Sequence, residues 1–288
     1  MTNSSFQCGR YRLPIRRDGL PLIMGILNIT PDSFSDGGQF QSLESALSRA
    51  EQMIDAGVDI IDIGAESTRP GAVPLPLDEE LRRILPVVFA LRDCGKPISI
   101  DTYKPQVMAE TLAAGADMVN DINGFRHPDA LTTIKSSDCG LCIMHMRNDP
   151  QTMQHDPRYQ DVVAEVAAFL QDRLEACAKA GIAADRLCVD PGFGFGKTLD
   201  NNLALLKAIP QLNNVLNTPV LAGLSRKSMI GLLTGKPVER RLAGSLGAAI
   251  AAAKNGAAIL RVHDVAETID ALAVFRAASC DAHLNNHS

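Results

Sequence analysis

The sequence has little of what would narrow its function at once. Across 288 residues the formal net charge is only −5, so there is no basic excess with which to wrap nucleic acid or lie on an anionic membrane. No apolar run approaches the roughly 18 residues of a membrane span, and the opening "MTNSSFQCGRYRLPIRRDGL" lacks the apolar centre of a secretory signal. These absences favour a cytoplasmic chain that meets a small polar ligand and neither nucleic acid nor membrane. The start is Arg-rich and acid-poor (Arg10, Arg12, Arg16, Arg17), a faint likeness to a transit peptide, but Pro14 and Gly19 break the helix such a segment needs. Seven cysteines are an odd number, scattered mostly through apolar segments, as expected of reduced thiols used as small hydrophobes. Cys139 and Cys142 form a C-x-x-C in a strand-like run, with no second ligand pair spaced for zinc, and read as structural.

What is present is a globular composition, 46% hydrophobic and 21% charged, arranged in a repeating rhythm. Short β-rich runs end in polar residues: "LIMGILN" at Asn28, "PISID" at Asp101, "DMVND" at Asn120 and Asp121, "LCIMH" at His145, "RLCVD" at Asp190, "PVLAGLS" at Ser225 and "AAILRVH" at Arg261 and His263, while "VDIIDIG" contains Asp62. Segments with helical spacing follow them, at 43–56, 77–92, 105–114, 162–180, 203–209, 242–254 and 265–278, and Gly57, Gly115, Gly181 and Gly256 stop four of these. Strand then helix, eight times over, predicts a single-domain α/β (β/α)8 TIM barrel over residues 21–288, with residues 1–20 covering the barrel floor. A doubly wound open sheet is the rival. In the barrel, catalytic groups come from the carboxyl ends of several strands, so Asn28, Asp62, Asp101, Asn120, Asp190, Lys227, Arg261 and His263 are expected on one rim. Plain solvation of strand ends accounts for Asp121 or Ser225 but poorly for an amide or carboxylate on strand after strand.

Four loops carry further signals. "DPGFGFGKT" (190–198) ends like a phosphate-binding Walker loop, yet Pro191 stands where that motif needs its first glycine. Its alternating glycines suit a close approach of backbone and aromatic face to a flat ligand; burial of Phe193 and Phe195 under the rim is the competing reading. "SRKSMIG" (225–231) sets Arg226 and Lys227 at a helix start, where an anion is the simplest reason for basic residues. "MGILNITPDSFSDGGQF" and "ESTRPGA" follow the first and second strands as polar loops, the kind that often close over a site.

Together "GILNITPDSFSDGG", "DIGAESTRPGA", "SIDTYKP", "VNDINGF", "MHM", "DPGFGFGKT", "SRKSMIG" and "RVHDV", in this order over essentially the full length, resemble dihydropteroate synthase. Ala65 stands where that family usually has a second glycine, and Tyr103 where a small residue is common. The resemblance implies condensation of 6-hydroxymethyl-7,8-dihydropterin pyrophosphate with 4-aminobenzoate, releasing pyrophosphate. It assigns the pterin to Asp101, Asn120, Met144, Asp190, Gly223 and Lys227, and pyrophosphate to Asn28, Thr68, Arg69, Arg261 and His263, with Mg2+ on Asn28. Aminobenzoate falls to Phe34, Thr68, Pro70, Phe195 and Ser228, and catalysis to Asp36, Arg69, Asp101 and Lys227. It also implies a homodimer, for which the small-residue run "LAGSLGAAIAAAKNGAA" is one candidate face and packing against the barrel the other explanation. Two alternatives share the pterin residues: a pterin-dependent methyltransferase barrel, which has no use for "ESTRPGA" or the Arg261/His263 pair, and a non-catalytic pterin-binding module.

Overall fold

The computed structural model describes residues 5–16, 19–29, 38–67, 72–147, 152–153 and 157–279, the side chains of 38–42 excepted. Its strands are β1 (Ser5–Cys8), β2 (Tyr11–Pro14), β3 (Leu22–Asn28), β4 (Ile60–Gly64), β5 (Ile98–Asp101), β6 (Met118–Asp121), β7 (Gly140–Met144), β8 (Leu187–Asp190), β9 (Leu221–Ala222) and β10 (Ile259–Val262). The helices are α1 (Gly38–Asp55), α2 (Leu77–Leu91), α3 (Pro105–Ala114), α4 (Ala130–Ile134), α5 (Val162–Lys179), α6 (Leu199–Lys207), α7 (Ile209–Leu216), α8 (Ser228–Thr234), α9 (Leu242–Lys254) and α10 (Val265–Ser279).

The strands β3 to β10 form one parallel eight-stranded sheet in the order β8-β7-β6-β5-β4-β3-β10-β9. In an open doubly wound sheet β8 and β9 would be remote edges. Here Val189 pairs with Val220 and its amide donates to Pro219 O at 2.9 Å, which closes the barrel. Each parallel step needs a crossover, and the helices supply it. The four glycines expected to stop helices all have positive φ, 83° to 113°, the conformation that ends a helix with least strain. Two elements differ from expectation. The segment expected at 203–209 is two helices, broken where Pro210 removes an amide donor, and α4 is too short to show a period.

Strand alternation divides the core in two. Outward-facing Ile61, Ile63, Ile98, Val119, Leu141, Val189 and Leu260 pack under the helices. Inward-facing Leu22, Met24, Ile60, Met118, Cys142, Cys188, Leu221 and Ile259 form a second cluster at the lower end, where Phe6 and Cys8 of β1 join it. Gly140 makes room for Phe6: a Cβ there would lie 2.8 Å from Phe6 Cζ. The arginines of the start are clamps. Arg10 Nε donates to buried Asp117 at 3.0 Å, Arg12 pairs with Asp185 at 2.6 Å, and Arg16 donates to Ala257 O at 2.7 Å. The described cysteines are all free, and Cys139 and Cys142 of the C-x-x-C are both buried.

Candidate active site at the carboxyl rim

Period-two alternation also fixes what the upper barrel presents. Two residues above Ile60, Met118, Cys188 and Ile259, on the same inward face, stand Asp62, Asn120, Asp190 and Arg261; four above Met24 stands Asn28. Register then sets neighbours side by side: Asn28 with Gly64, Asp101 with Asn120, Met144 with Asp190. The polar strand ends read from the sequence therefore converge, although Asn28 is exposed and the others are buried or half-buried.

Charge at the rim is organised in two clusters. In the first, Arg261 spans two carboxylates, Nε on Asp62 Oδ2 at 2.6 Å and Nη2 on Asp101 Oδ2 at 2.6 Å, and Asn120 Nδ2 donates to the same Asp62 oxygen at 3.3 Å. Burial alone would lower the Arg261 pKa, but Asp62 and Asp101 more than offset it and leave it raised. Burial pushes Asp101 up, against the pull of Arg261. In the second cluster Asp190 Oδ1 accepts from Gly192 N at 2.7 Å and faces Lys227, whose Nζ donates to Phe193 O and lies 4.8 Å from the Phe195 ring centre. Burial lowers Lys227 to about 8, with Asp190 pulling the other way. Gly223 lies between the pair: a Cβ there would sit 3.6 Å from Lys227 Nζ and 3.7 Å from Asp190 Oδ2. Beside them Ile122, Met144, Met146 and Met153 form a thioether-rich wall against which Tyr103 and Phe195 pack.

The loop 190–198 resolves both questions it raised. Phe193 is fully buried, as the packing reading expects, and Phe195 is half-buried at the rim. Lys197 does not behave as a phosphate lysine. It turns inward, donating to Gly192 O at 2.9 Å and Phe195 O at 3.1 Å beside His145 Nδ1 at 2.9 Å, and burial lowers it to about 7. Gly192 is obligatory, with φ +71° and a hypothetical Cβ 1.8 Å from His145 O.

The expected anion site at the start of α8 needs correction in one respect. Arg226 is answered by a carboxylate of this chain, Asp264, with Nε on Oδ2 at 3.0 Å. His263 is nearby, and burial followed by the charge of Arg261 lowers it to about 4, so at neutral pH it is uncharged. Ser225 Oγ accepts from His263 N at 3.2 Å and faces its Nδ1 at 3.0 Å. Asn28, Ser45, Ala46, Arg49, Arg226 and His263 line one cavity of about 270 Å³. Ser228 is exposed at the first position of α8.

Thr68, Arg69, Pro70, Phe34 and Asp36 lie outside the described residues. What holds the foot of the second loop is described. Glu66 accepts from Tyr103 Oη at 2.7 Å and from Lys104 Nζ, which also reaches buried Glu80, whose other oxygen accepts from Thr102 Oγ1 at 2.7 Å. Tyr103 thus uses its hydroxyl at a position where a small residue was expected, and the Ala65 methyl is buried in the main core. Ser225, Lys197 and His145 were not assigned roles from the sequence. Asp62 was expected on the rim, where it lies one strand period above an inward isoleucine, but was given no ligand.

A closed parallel barrel with carboxylates and cations converging at its carboxyl end defines an enzyme of the (β/α)8 class. The chain matches the family of pterin binding enzymes over residues 24–263. It is 51% identical to dihydropteroate synthase of Haemophilus influenzae over 261 residues, 90% of this chain and 94% of that one. Among solved structures, that of Burkholderia cenocepacia dihydropteroate synthase complexed with 7,8-dihydropteroate is 53% identical, covers 96% of both chains and superposes with a TM-score of 0.87. The Xanthomonas albilineans enzyme with 4-aminobenzoic acid is 47% identical over 96% of this chain and 98% of that one, with a TM-score of 0.88. The chain therefore belongs to the pterin binding enzymes and, within them, to the dihydropteroate synthases, which are transferases.

Proposed function

We propose that the rim condenses 6-hydroxymethyl-7,8-dihydropterin pyrophosphate with 4-aminobenzoate by letting pyrophosphate depart before the amine attacks. The observation that carries this order is the alternation of carboxylate, guanidinium and carboxylate at Asp62, Arg261 and Asp101, which suits opposite charges separating along one bond. An aniline nitrogen is neutral at pH 7 and needs no strong base. In keeping with that, His263 and His145 are both held far below neutrality, chiefly by burial, at about 4 and about 2.

In this reading Asp101, Asn120, Asp190 and Lys227 hold the pterin, Asp190 accepting from two ring donors, with Met144 and Gly223 against its faces. Asn28, Arg261 and neutral His263 take pyrophosphate, and Asp101 then faces the pterin-methyl cation. Phe195 and Ser228 border the aminobenzoate, completed by Phe34, Thr68 and Pro70, while Asp36 and Arg69 act once the loops have gathered. Mg2+ fits this donor set as an ion carried mainly by phosphate. Among the described residues no group of three His, Cys, Asp or Glu side chains is placed to cage a metal, whereas the Asn28 amide oxygen and Asp101 Oδ2 flank the space over Gly64, 3.9 and 3.7 Å from a Cβ built there. When bound, the ion would neutralise charge on the leaving pyrophosphate.

The hairpin β1–β2 is read as the barrel's floor, supported by Phe6 and Cys8 in the lower cluster. A homodimer is supported by exposed Leu232, Leu233, Val238 and Leu242 about α8 and α9, and a cytoplasmic setting by free thiols. Among the described residues no helix is long and apolar enough to cross a membrane. Calorimetry with and without Mg2+ tests the central reading. Aminobenzoate is expected to bind measurably only after the pterin pyrophosphate or pyrophosphate, and tight binding to the metal-free, pterin-free chain would contradict it.

A further inference from the structure

Arg261 and Asp101 hold each other, yet the reading above asks each for something else: the guanidinium for phosphate, the carboxylate for the pterin-methyl cation. Both duties can be met if Arg261 changes one partner and keeps the other. We propose that Asp62 is a positioning residue for the condensation, pinning the Nε edge of Arg261 while its outer nitrogens pass from Asp101 to the substrate's phosphate oxygens; the inference rests on the proposed function. The two carboxylates differ in a way that assigns these parts. Asp62 is fully buried, one strand period above Ile60, and its Oδ2 also takes the Asn120 amide at 3.3 Å, so it cannot follow a moving guanidinium. Asp101 ends its strand at the rim, 8% exposed; the second oxygen of each carboxylate, Asp62 Oδ1 and Asp101 Oδ1, is buried with no partner among the described residues, and the one at the rim is where a cationic or N–H-bearing ligand would satisfy it. A guanidinium carries its donors in a rigid fork, so a pin at Nε fixes the plane and leaves the Nη edge to be shared. Asp62 would thereby tie the Asn120 end of the site to its phosphate end through one oxygen atom.

A double-mutant cycle tests the pin. Asp62→Asn, which keeps shape and one oxygen to accept from Asn120 and Arg261 Nε but withdraws the charge that holds the guanidinium, is expected to lower kcat/KM for the pterin pyrophosphate by about 10-fold or more, the scale of one misplaced electrostatic contact. Affinity for 6-hydroxymethylpterin, which lacks phosphate, should change less than about twofold. In an Arg261→Ala background, followed by single turnover, Asp62→Asn should add less than about twofold. Equal losses in both backgrounds would overturn the pin alone; an Arg261→Ala chain with unchanged affinity for inorganic pyrophosphate would overturn both the pin and the reading beneath it. Should Asp62→Asn fail to fold, the wild type still decides. The Arg261 Nε–H resonance, assigned by its loss in Arg261→Lys, should stay protected from solvent exchange on adding inorganic pyrophosphate with Mg2+, and faster exchange would overturn the pin.

Discussion

The two ends of one barrel solve opposite problems with the same strands. At the lower end the inward positions are Leu22, Met24, Ile60, Met118, Cys142, Cys188 and Ile259, in one cluster with Phe6 and Cys8. A single strand period higher, the inward positions are Asp62, Asn120, Asp190 and Arg261. The lower end gains free energy by removing apolar surface from water. The rim does the reverse: it holds carboxylates and cations in partial burial, which raises Asp101 and lowers Lys227 against their ordinary values. Stability and recognition are thus separated by about two residues of rise along each strand, as expected of a fold whose lower face is for cohesion and upper face for chemistry.

The sharpest way to break this division is to exchange the kinds of damage. Phe6→Ala at the lower end should cost about 3–5 kcal/mol of stability, as deletion of a fully buried aromatic usually does, with affinity for a pterin ligand unchanged in the folded fraction; denaturant titration and calorimetry check the two halves. Asp190→Asn at the rim should do the opposite. Pterin binding should weaken by about 2–4 kcal/mol because an amide must present a donor where a carboxylate accepted. Its unfolding midpoint should hold or rise, since burial already disfavours the charge. Unchanged pterin affinity would remove Asp190 from the site.

Lys197 sharpens the comparison further, being a rim residue turned inward. Burial lowers it to about 7 from an ordinary 10.5. Between those values the folded chain has released a proton that the unfolded chain still holds, so stability at this position rises with pH through that window. Measured against Lys197→Met, the wild type should gain about 2 kcal/mol in urea titrations from pH 6 to pH 9; a constant difference would mean that the ammonium stays hydrated. The smallest effect belongs to the lower-end thiols. Burial foremost raises Cys8 well above its usual range, and the Cys188 contact together with burial does the same for Cys142. Alkylation of the native chain at pH 8 should therefore spare Cys8 and Cys142 and, among the described cysteines, reach half-buried Cys94 first; labelling at Cys142 ahead of Cys94 would show an open lower end.

Legibility from sequence followed distance along the chain. All eight barrel strands were readable, because strands buried on both faces leave short β-rich apolar runs and their polar ends stand out. Most helix boundaries followed from periodicity and glycine stops. What pairs with what was not readable. Arg226 answering Asp264 spans 38 residues, Lys197 meeting His145 spans 52, and Arg261 reaching Asp62 spans 199; no local pattern records such contacts, which exist only once the barrel closes. The basic pair at the head of α8 suggested an external anion because its internal partner lay on another strand's loop.

One feature of the sheet bears on motion. Seven of the eight strand junctions are ladders, whereas β8 and β9 meet through the single bridge Val189–Val220, and β9 itself has two residues. Asp190 and Lys227 stand on opposite sides of that seam. A flat ligand gripped by both would act as a missing rung, stapling the barrel where its backbone does so least. Amides about the seam should then be the first to exchange in the free chain and the ones most slowed by a pterin.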